Sequence, residues 1–234
     1  LIVSQAPHMV FLKDTDGDGV ADIKKVVLTG FFATQTAQIR TSHPILGLDG
    51  WIYVTGGLNG GNITSPEHPD RPAVSYKSAD GRFHPETFEF QVTGGKSQFG
   101  LTFDSYGRRF GTSNRHPVMH TVMEPWYLKR NPNLLFNESV QNVSKTEADA
   151  VVYPISHAVT SADFIPKLIG RSHAGTFTAA SGLLSFNGTA LTPAHQGNIF
   201  ICESAQNLVQ RQIVNPEGVS FKSKIPYEGR EFLS

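Results

Sequence analysis

Four closely spaced aspartates, Asp14, Asp16, Asp18 and Asp22, surround two glycines near the start of the sequence. Carboxylate oxygens are the ligands that a hard cation such as calcium prefers, and a backbone carbonyl often completes the set. The spacing follows the first part of an EF-hand calcium loop, in which Val20 supplies that carbonyl. The sequence therefore predicts calcium bound by the four aspartates and the Val20 carbonyl oxygen.

The segments on either side of this loop do not resemble the helices of an EF-hand. The twelfth loop position is Lys25, where an EF-hand has a bidentate glutamate. The flanks Met9 to Lys13 and Lys24 to Leu28 are short and rich in β-branched or aromatic residues, which favour strands. We expect a hairpin whose tip holds the cation, with a structural rather than a catalytic role.

Composition excludes several classes of partner. The chain has 234 residues, and its 20 basic residues balance its 20 acidic residues, so no basic surface is expected for nucleic acid or an anionic membrane. No apolar run is long enough for a transmembrane helix. The single cysteine, Cys202, excludes an internal disulfide and a cysteine-based zinc site, and its apolar neighbours predict a buried thiol.

The calcium loop also indicates a compartment. A loop of modest affinity is saturated only where calcium is abundant, which is outside the cytosol. The shortage of cysteine does not contradict this location. We expect an exported protein, either periplasmic or on the cell surface.

Short apolar runs separated by glycine and proline predict an all-β fold, with helical periodicity only around Glu124 to Arg130. Two segments, Gly47 to Gly56 and Phe103 to Thr112, share a strand, an Asp and Gly turn, and a second strand with an aromatic residue. A looser copy runs from Leu183 to Ile201. Such repeats are typical of β-propeller blades, and an immunoglobulin-like sandwich is the alternative.

The chain length is sufficient for about four blades, which would make residues 1–234 a single, partial propeller domain. A closed propeller of this kind usually has more blades. We therefore expect a fragment or an incomplete ring.

A series of segments distributed over nearly the whole chain carries a resemblance to a known family. The segments, in order, are Lys13 to Asp22, Ser42 to Pro44, Gly47 to Tyr53, Gln98 to Gly100, Arg108 to Phe110, Ser113 to Pro117, Tyr127 to Pro132, His173 to Ala180 and Gly197 to Glu203. With these segments the sequence resembles the propeller of the membrane-bound dehydrogenases, which are large exported bacterial proteins similar to glucose/sorbosone dehydrogenases and often fused to a c-type cytochrome.

The resemblance implies a specific chemistry. Sugar dehydrogenases of the wider superfamily hold pyrroloquinoline quinone and calcium on the propeller axis, and a histidine removes the proton of the substrate hydroxyl. The implied substrate is a small sugar or alcohol, and the implied electron acceptor is a cytochrome c domain or protein. This sequence has Ile39 where the general-base histidine is expected, with Arg40 and His43 on either side.

Oxidation of an alcohol requires a base near the hydroxyl and cations to hold the acceptor. Polar residues that could fill these roles lie where predicted blade strands begin or end. We expect His43 and Arg115 to be catalytic. The predicted cofactor-binding residues are Arg40, Asn114, His173 and Glu203.

Each of these residues also has a structural interpretation, since a loop histidine is often a surface group and Arg115 could pair with a carboxylate. Two functions therefore remain open. The first is a quinone-dependent sugar or alcohol dehydrogenase that passes electrons to a cytochrome. The second is a calcium-stabilised propeller module that binds carbohydrate or protein without chemistry of its own.

Overall fold

The computed structural model describes residues 1–33, 38–135, 139–156 and 173–234. The fold is all-β, as predicted, with 41% strand and 6% helix. The chain divides into two compact units, Leu1–Gln98 and Phe99–Ser234. Within the described residues the strands form four antiparallel sheets, two in each unit, and none of them closes on itself.

The first unit contains a five-stranded sheet in the order β1-β2-β3-β6-β7 and a four-stranded sheet in the order β4-β5-β8-β9. The β6–β7 hairpin thus leaves the second sheet and extends the first. The strands are β1 Ile2–Gln5, β2 His8–Lys13, β3 Ile23–Phe31, β4 Ser42–Leu46, β5 Ile52–Thr55, β6 Gly61–Thr64, β7 Val74–Tyr76, β8 Gly81–Phe83 and β9 Phe90–Val92.

The core of the first unit is aromatic and aliphatic. The ring of Phe31, which is buried, meets the rings of Tyr76 and Phe90 edge-on at centroid distances of 6.3 Å and 6.1 Å. All four residues of β5 are buried, which explains its continuous apolar run from Ile52 to Val54. Edge-on aromatic packing and this burial hold the strands of the unit together.

The second unit contains two four-stranded sheets in which consecutive strands pair, β10-β11-β12-β13 and β14-β15-β16-β17. The short helix α1, Pro125–Leu128, lies where helical periodicity was predicted. The strands are β10 Leu101–Phe103, β11 Arg109–Ser113, β12 His116–Thr121, β13 Val140–Asn142, β14 Ala180–Ser185, β15 Ile199–Glu203, β16 Leu208–Glu217 and β17 Ser220–Lys224.

A single apolar cluster lies between elements of the second unit. Its largest fully buried member is Phe177, which precedes β14, and Ile199 and Ile201 contribute alternate side chains of β15. Cys202, on the same strand, is partly buried, so the expectation of a buried thiol is met only in part. No helix among the described residues is long and apolar enough to cross a membrane.

The repeated sequence segments form equivalent hairpins. Each lies between the first and second strands of its sheet, at β4–β5, β10–β11 and β14–β15. In the first two copies the aspartate side chain accepts backbone N–H groups of the turn: Trp51 donates to Asp49 at 3.2 Å, and Tyr106 donates to Asp104 at 2.9 Å. This aspartate turn accounts for the recurrence of Asp and Gly.

Candidate functional site

The predicted calcium loop forms the tip of the β2–β3 hairpin, since Lys13 pairs with Ile23 at its base. One carboxylate oxygen from each of Asp14, Asp16 and Asp18 lies within 4.8 Å of the other two, and all three residues are exposed. This spacing suits a single cation, because it places three anionic oxygens around one point. The hairpin tip is thus a candidate cation site.

Backbone hydrogen bonds shape the tip. Asp14 accepts the N–H groups of Gly17 at 2.7 Å and Gly19 at 2.9 Å, and these bonds lower the pKa of its carboxyl. Gly17 and Gly19 have φ of +83° and +88°, a conformation that side chains disfavour. The loop sequence therefore specifies this turn.

Asp22 has a different role from the other aspartates. Its carboxylate accepts both the backbone N–H of Thr15 at 2.7 Å and the Thr15 hydroxyl at 2.6 Å. The side-chain bond is the main reason that the pKa of Asp22 is lowered. The structure groups Asp14, Asp16 and Asp18, while Asp22 closes the loop through Thr15.

His43 has an unusual backbone. It lies in a bulge of β4, where the pairing with β5 shifts between Ser42 and Ile45, and its φ is +53°. A positive φ is uncommon for residues with a side chain, and bulges often redirect a side chain near functional sites. The His43 residue is exposed.

The imidazole of His43 is oriented by a hydroxyl pair. Its Nδ1 lies 3.1 Å from Ser42 Oγ, which in turn lies 2.9 Å from Thr55 Oγ1. Partial burial, which removes water from around the ring, lowers the pKa of His43. The neutral form of the imidazole is therefore favoured at neutral pH. With Nδ1 bonded to a hydroxyl, Nε2 can serve as the proton acceptor when Nδ1 carries the hydrogen.

Arg40, in the same unit, is half-buried. Its terminal nitrogen donates to the carbonyl oxygen of Ala33 at 2.8 Å, while its buried Nε has no hydrogen-bond partner among the described residues. Because this Nε has almost no accessible surface, only the terminal nitrogens of Arg40 could reach an anion or a carbonyl oxygen. Arg40 and His43 thus form the candidate group of the first unit.

Arg115 is paired within the second unit. Its guanidinium forms a salt bridge with Glu147, and the backbone N–H of Glu147 donates to the Arg115 carbonyl oxygen at 3.0 Å. His116 lies 3.5 Å from the other oxygen of the same carboxylate. The pairing ties the β11–β12 turn to the segment after β13 and offsets the charge of the guanidinium, whose buried Nε, like that of Arg40, has no hydrogen-bond partner among the described residues.

Glu203, at the end of β15, is a fully buried carboxylate with 0% exposure. It accepts the backbone N–H groups of Thr178 at 2.9 Å, Ala179 at 2.8 Å and Ala205 at 3.2 Å. Burial raises its pKa, and these N–H groups counteract the rise. Through these hydrogen bonds Glu203 holds in place the segment that leads into β14.

Asn114 and His173 lie against the same part of the second unit. The carbonyl oxygen of Asn114, which is exposed, accepts the N–H of Ala180 at 3.1 Å. The carbonyl oxygen of His173, which is buried, accepts the N–H and the hydroxyl of Thr176, both at 3.0 Å. Since Ala180 also pairs with Glu203, the structure brings Asn114 and Glu203 to the start of β14, whereas the His173 bonds to Thr176 lie within a local turn.

Asp80 is a buried carboxylate of the first unit that the sequence did not predict as a site residue. Its carboxylate accepts the N–H of Gly56 at 3.2 Å, and from Ser97 both the N–H at 2.9 Å and the hydroxyl at 2.8 Å. Like Glu203 in the second unit, Asp80 is a buried carboxylate that accepts backbone N–H groups. The dipeptide Asp80-Gly81 before an aromatic strand residue resembles the repeat turns and was the available signal.

The residues predicted to hold pyrroloquinoline quinone do not fit that cofactor. The quinone carries carboxylates, which require exposed cationic or N–H donors. Glu203 is itself a buried anion whose oxygens accept backbone N–H groups, and His173 is 5% exposed. Of the four residues, only Arg40 offers a guanidinium.

Comparisons with known proteins give one match. Neither the curated proteins nor the solved structures yielded a match to the chain. A family profile, described as a domain of unknown function, matches residues 1–234. Since the match extends over the whole chain, this protein belongs to the DUF7133 family.

Proposed function

We propose that the sheets are blades of a β-propeller. The second unit supports this interpretation with two four-stranded sheets in which every strand pairs with the next. Within each unit the first strands of the two sheets lie side by side: Ser4 Oγ donates to the Thr41 carbonyl oxygen at 2.6 Å, and the Ser185 N–H donates to Thr102 Oγ1 at 3.1 Å. Inner strands that lie side by side are characteristic of propeller blades.

We further propose that the protein is a dehydrogenase-like oxidoreductase for a sugar or alcohol, exported to the periplasm or cell surface. The observation that carries this proposal is the geometry of His43, a residue with solvent access in a bulge with positive φ, whose imidazole is oriented by Ser42 and whose pKa is lowered by partial burial of the ring. A neutral, oriented imidazole is suited to accept the proton of a hydroxyl group.

Electron transfer from the substrate requires an acceptor. The resemblance to glucose/sorbosone dehydrogenases implies a quinone and a cytochrome c partner, but the four residues assigned to the quinone do not fit it. In the proposed step His43 therefore takes the hydroxyl proton while the hydride passes to a quinone supplied in solution, and Arg40 could contact a carbonyl or anionic oxygen through its terminal nitrogens.

His43→Asn tests this role, because asparagine accepts the left-handed backbone but is not a base. With sugars, quinone and a reducible dye supplied to the intact protein, we expect kcat to fall about 100-fold with little change in KM. His68→Asn, in a loop of the same unit, is the control and should leave the rate unchanged. Dye reduction that continues at the original rate in His43→Asn would contradict the proposal.

A calcium-stabilised module without catalysis is the second candidate. It is favoured by the internal pairing of Arg115 with Glu147 and by the engagement of Glu203 with backbone N–H groups. Such residues stabilise the fold rather than contact a ligand. The surface would then bind carbohydrate or another protein.

Calcium binding at the hairpin tip is tested by titration calorimetry and thermal unfolding. We expect calcium to raise the free energy of unfolding by about 2.7 kcal/mol at a concentration 100 times Kd, because binding to the folded loop alone shifts the unfolding equilibrium by mass action. Asp16→Ala and Asp18→Ala should abolish the heat and the rise in Tm. Asp70→Ala removes an exposed aspartate elsewhere and should retain both. Unchanged binding in the loop variants would exclude this site.

A further inference from the structure

The second unit contains a cavity that neither candidate function uses, and its lining is partly apolar and partly polar. Its volume is about 310 Å³, at the lower end of the range of small-molecule pockets. Its polar lining comes from β16, β17 and the segment between β13 and β14. We call this cavity the glutamine pocket and define it by six of its lining residues, Lys145, Tyr153, Gln210, Gln212, Ser223 and Lys224.

Two buried amides line the pocket. Gln210 and Gln212 are separated by one residue on β16, so their side chains leave the same face of the strand, and they are 1% and 4% exposed. Gln212 Nε2 donates to Gln210 Oε1 at 2.8 Å, and Ser223 Oγ donates to Gln212 Oε1 at 2.5 Å. A hydrogen-bonded chain thus fixes both amides before any ligand arrives.

The Gln210 end of this series of hydrogen bonds is also held in place. Gln210 Nε2 donates to the Val151 carbonyl oxygen at 3.0 Å and to Glu231 Oε1 at 3.2 Å. These two bonds use both hydrogens of the Gln210 amide nitrogen. The same Glu231 oxygen accepts the N–H of Tyr153 at 2.8 Å. Gln210 therefore presents only an acceptor, whereas Gln212 retains a second N–H donor beside a carbonyl acceptor.

This pattern matches a hydroxyl group, which donates and accepts at once. A carboxylate or phosphate would face the amide oxygens with no hydrogen to donate. A fixed donor and acceptors in a buried wall also discriminate strongly, because a ligand without hydroxyls leaves them unpaired. The buried wall of the pocket is therefore specific for a hydroxylated molecule.

The rim of the pocket is charged, in contrast to the uncharged amides of the buried wall. Lys145 and Lys224 are exposed and have no ion-pair partner among the described residues, and Asp149 is the one carboxylate that lines the pocket. At the rim the two ammonium groups outnumber that carboxylate, and Glu231 lies behind the wall, held by the N–H groups of Gln210 and Tyr153, so a negatively charged substituent is favoured beside the lysines rather than at the amides. The half-buried ring of Tyr153 offers an apolar surface against which the C–H face of a sugar can pack.

We propose that the glutamine pocket binds a sugar acid of monosaccharide size, with its hydroxyls on Gln210 and Gln212 and its carboxylate near Lys145 and Lys224. The pocket is formed entirely by the second unit, whereas His43 belongs to the first. The proposal therefore stands or fails independently of the catalytic role of His43.

Titration calorimetry of the full chain with glucuronate tests the proposal, with glucose and acetate as comparison ligands. We expect saturable binding of one glucuronate, weaker binding of glucose and none of acetate. Lys224→Met should weaken glucuronate binding about tenfold and leave glucose binding unchanged, because only the carboxylate loses a partner. Lys222→Met, on the same strand, is the matched control and should have no effect, since this exposed lysine pairs with Glu217.

Gln212→Leu should abolish binding of both sugars while circular dichroism shows whether the variant is folded. If Gln212→Leu does not fold, the Lys224→Met and Lys222→Met pair decides the question. No saturable binding of glucuronate, or equal binding of acetate and glucuronate, would overturn the proposal.

Discussion

Glu203→Ala is expected to lower the free energy of unfolding by about 4 kcal/mol. The substitution leaves the N–H groups of Thr178, Ala179 and Ala205 without their acceptor in a region where Glu203 is fully buried. It also removes the brace that holds the segment entering β14. Chemical denaturation followed by tryptophan fluorescence and circular dichroism measures the loss.

Two further variants separate this role from that of a cofactor ligand. Glu203→Gln retains an acceptor oxygen and should recover a large part of the stability. Glu217→Ala removes an exposed glutamate of β16 and should change stability by no more than about 0.5 kcal/mol. If Glu203→Ala is as stable as the original chain, the structural assignment is wrong.

The second large effect is expected on acidification, through His120. This side chain is 5% exposed, lies between the rings of Phe110 and Phe221, and has Nδ1 3.0 Å from Ser220 Oγ. Burial, followed by the charge of Arg108, lowers the pKa of His120 from 6.5 to about 4. The folded protein therefore holds this imidazole neutral.

The direction of the pH dependence follows from proton binding. Between pH 6.5 and about 4 the unfolded chain takes up a proton at His120 that the folded chain does not. Stability therefore falls as the pH falls through this window, by about 3 kcal/mol from this group.

Denaturant unfolding at a series of pH values measures this loss, and His120→Phe should flatten the curve between pH 6.5 and about 4. The phenylalanine ring retains the packing against its aromatic neighbours, although Ser220 loses its bond. His68→Phe, at a half-buried loop position, is the control and should retain the full dependence. A His120→Phe profile identical to that of the original chain would contradict the assignment.

Local patterns predicted the all-β class, the hairpin with the aspartate tip and the repeated turns. Asp14 accepts N–H groups from Gly17 and Gly19, so its partners lie within the same turn. Asp49 and Asp104 likewise bond to residues that follow them closely. Turn chemistry of this kind depends on neighbours in sequence, and it can be recognised without a fold.

The roles of the other candidate residues depended on pairing between distant segments. The sequence shows Arg115 and Glu203 as polar residues at strand ends, but not that Glu147 pairs with the arginine. Nor does it show that the N–H groups of Thr178 and Ala179 meet the Glu203 carboxylate. Sheet packing decides these contacts, because it determines which buried backbone groups lack a partner in their own strand.

The sequence by itself thus determined the all-β class, the repeated turns and a carboxylate cluster suited to a cation, since each depends on residues a few positions apart. Only the tertiary structure decided that Glu203 and Asp80 accept backbone N–H groups of distant segments and that Gln210 and Gln212 line a cavity. It also placed His43 in a bulge with positive φ. Burial and strand register set these features, and both arise only when distant segments pack together.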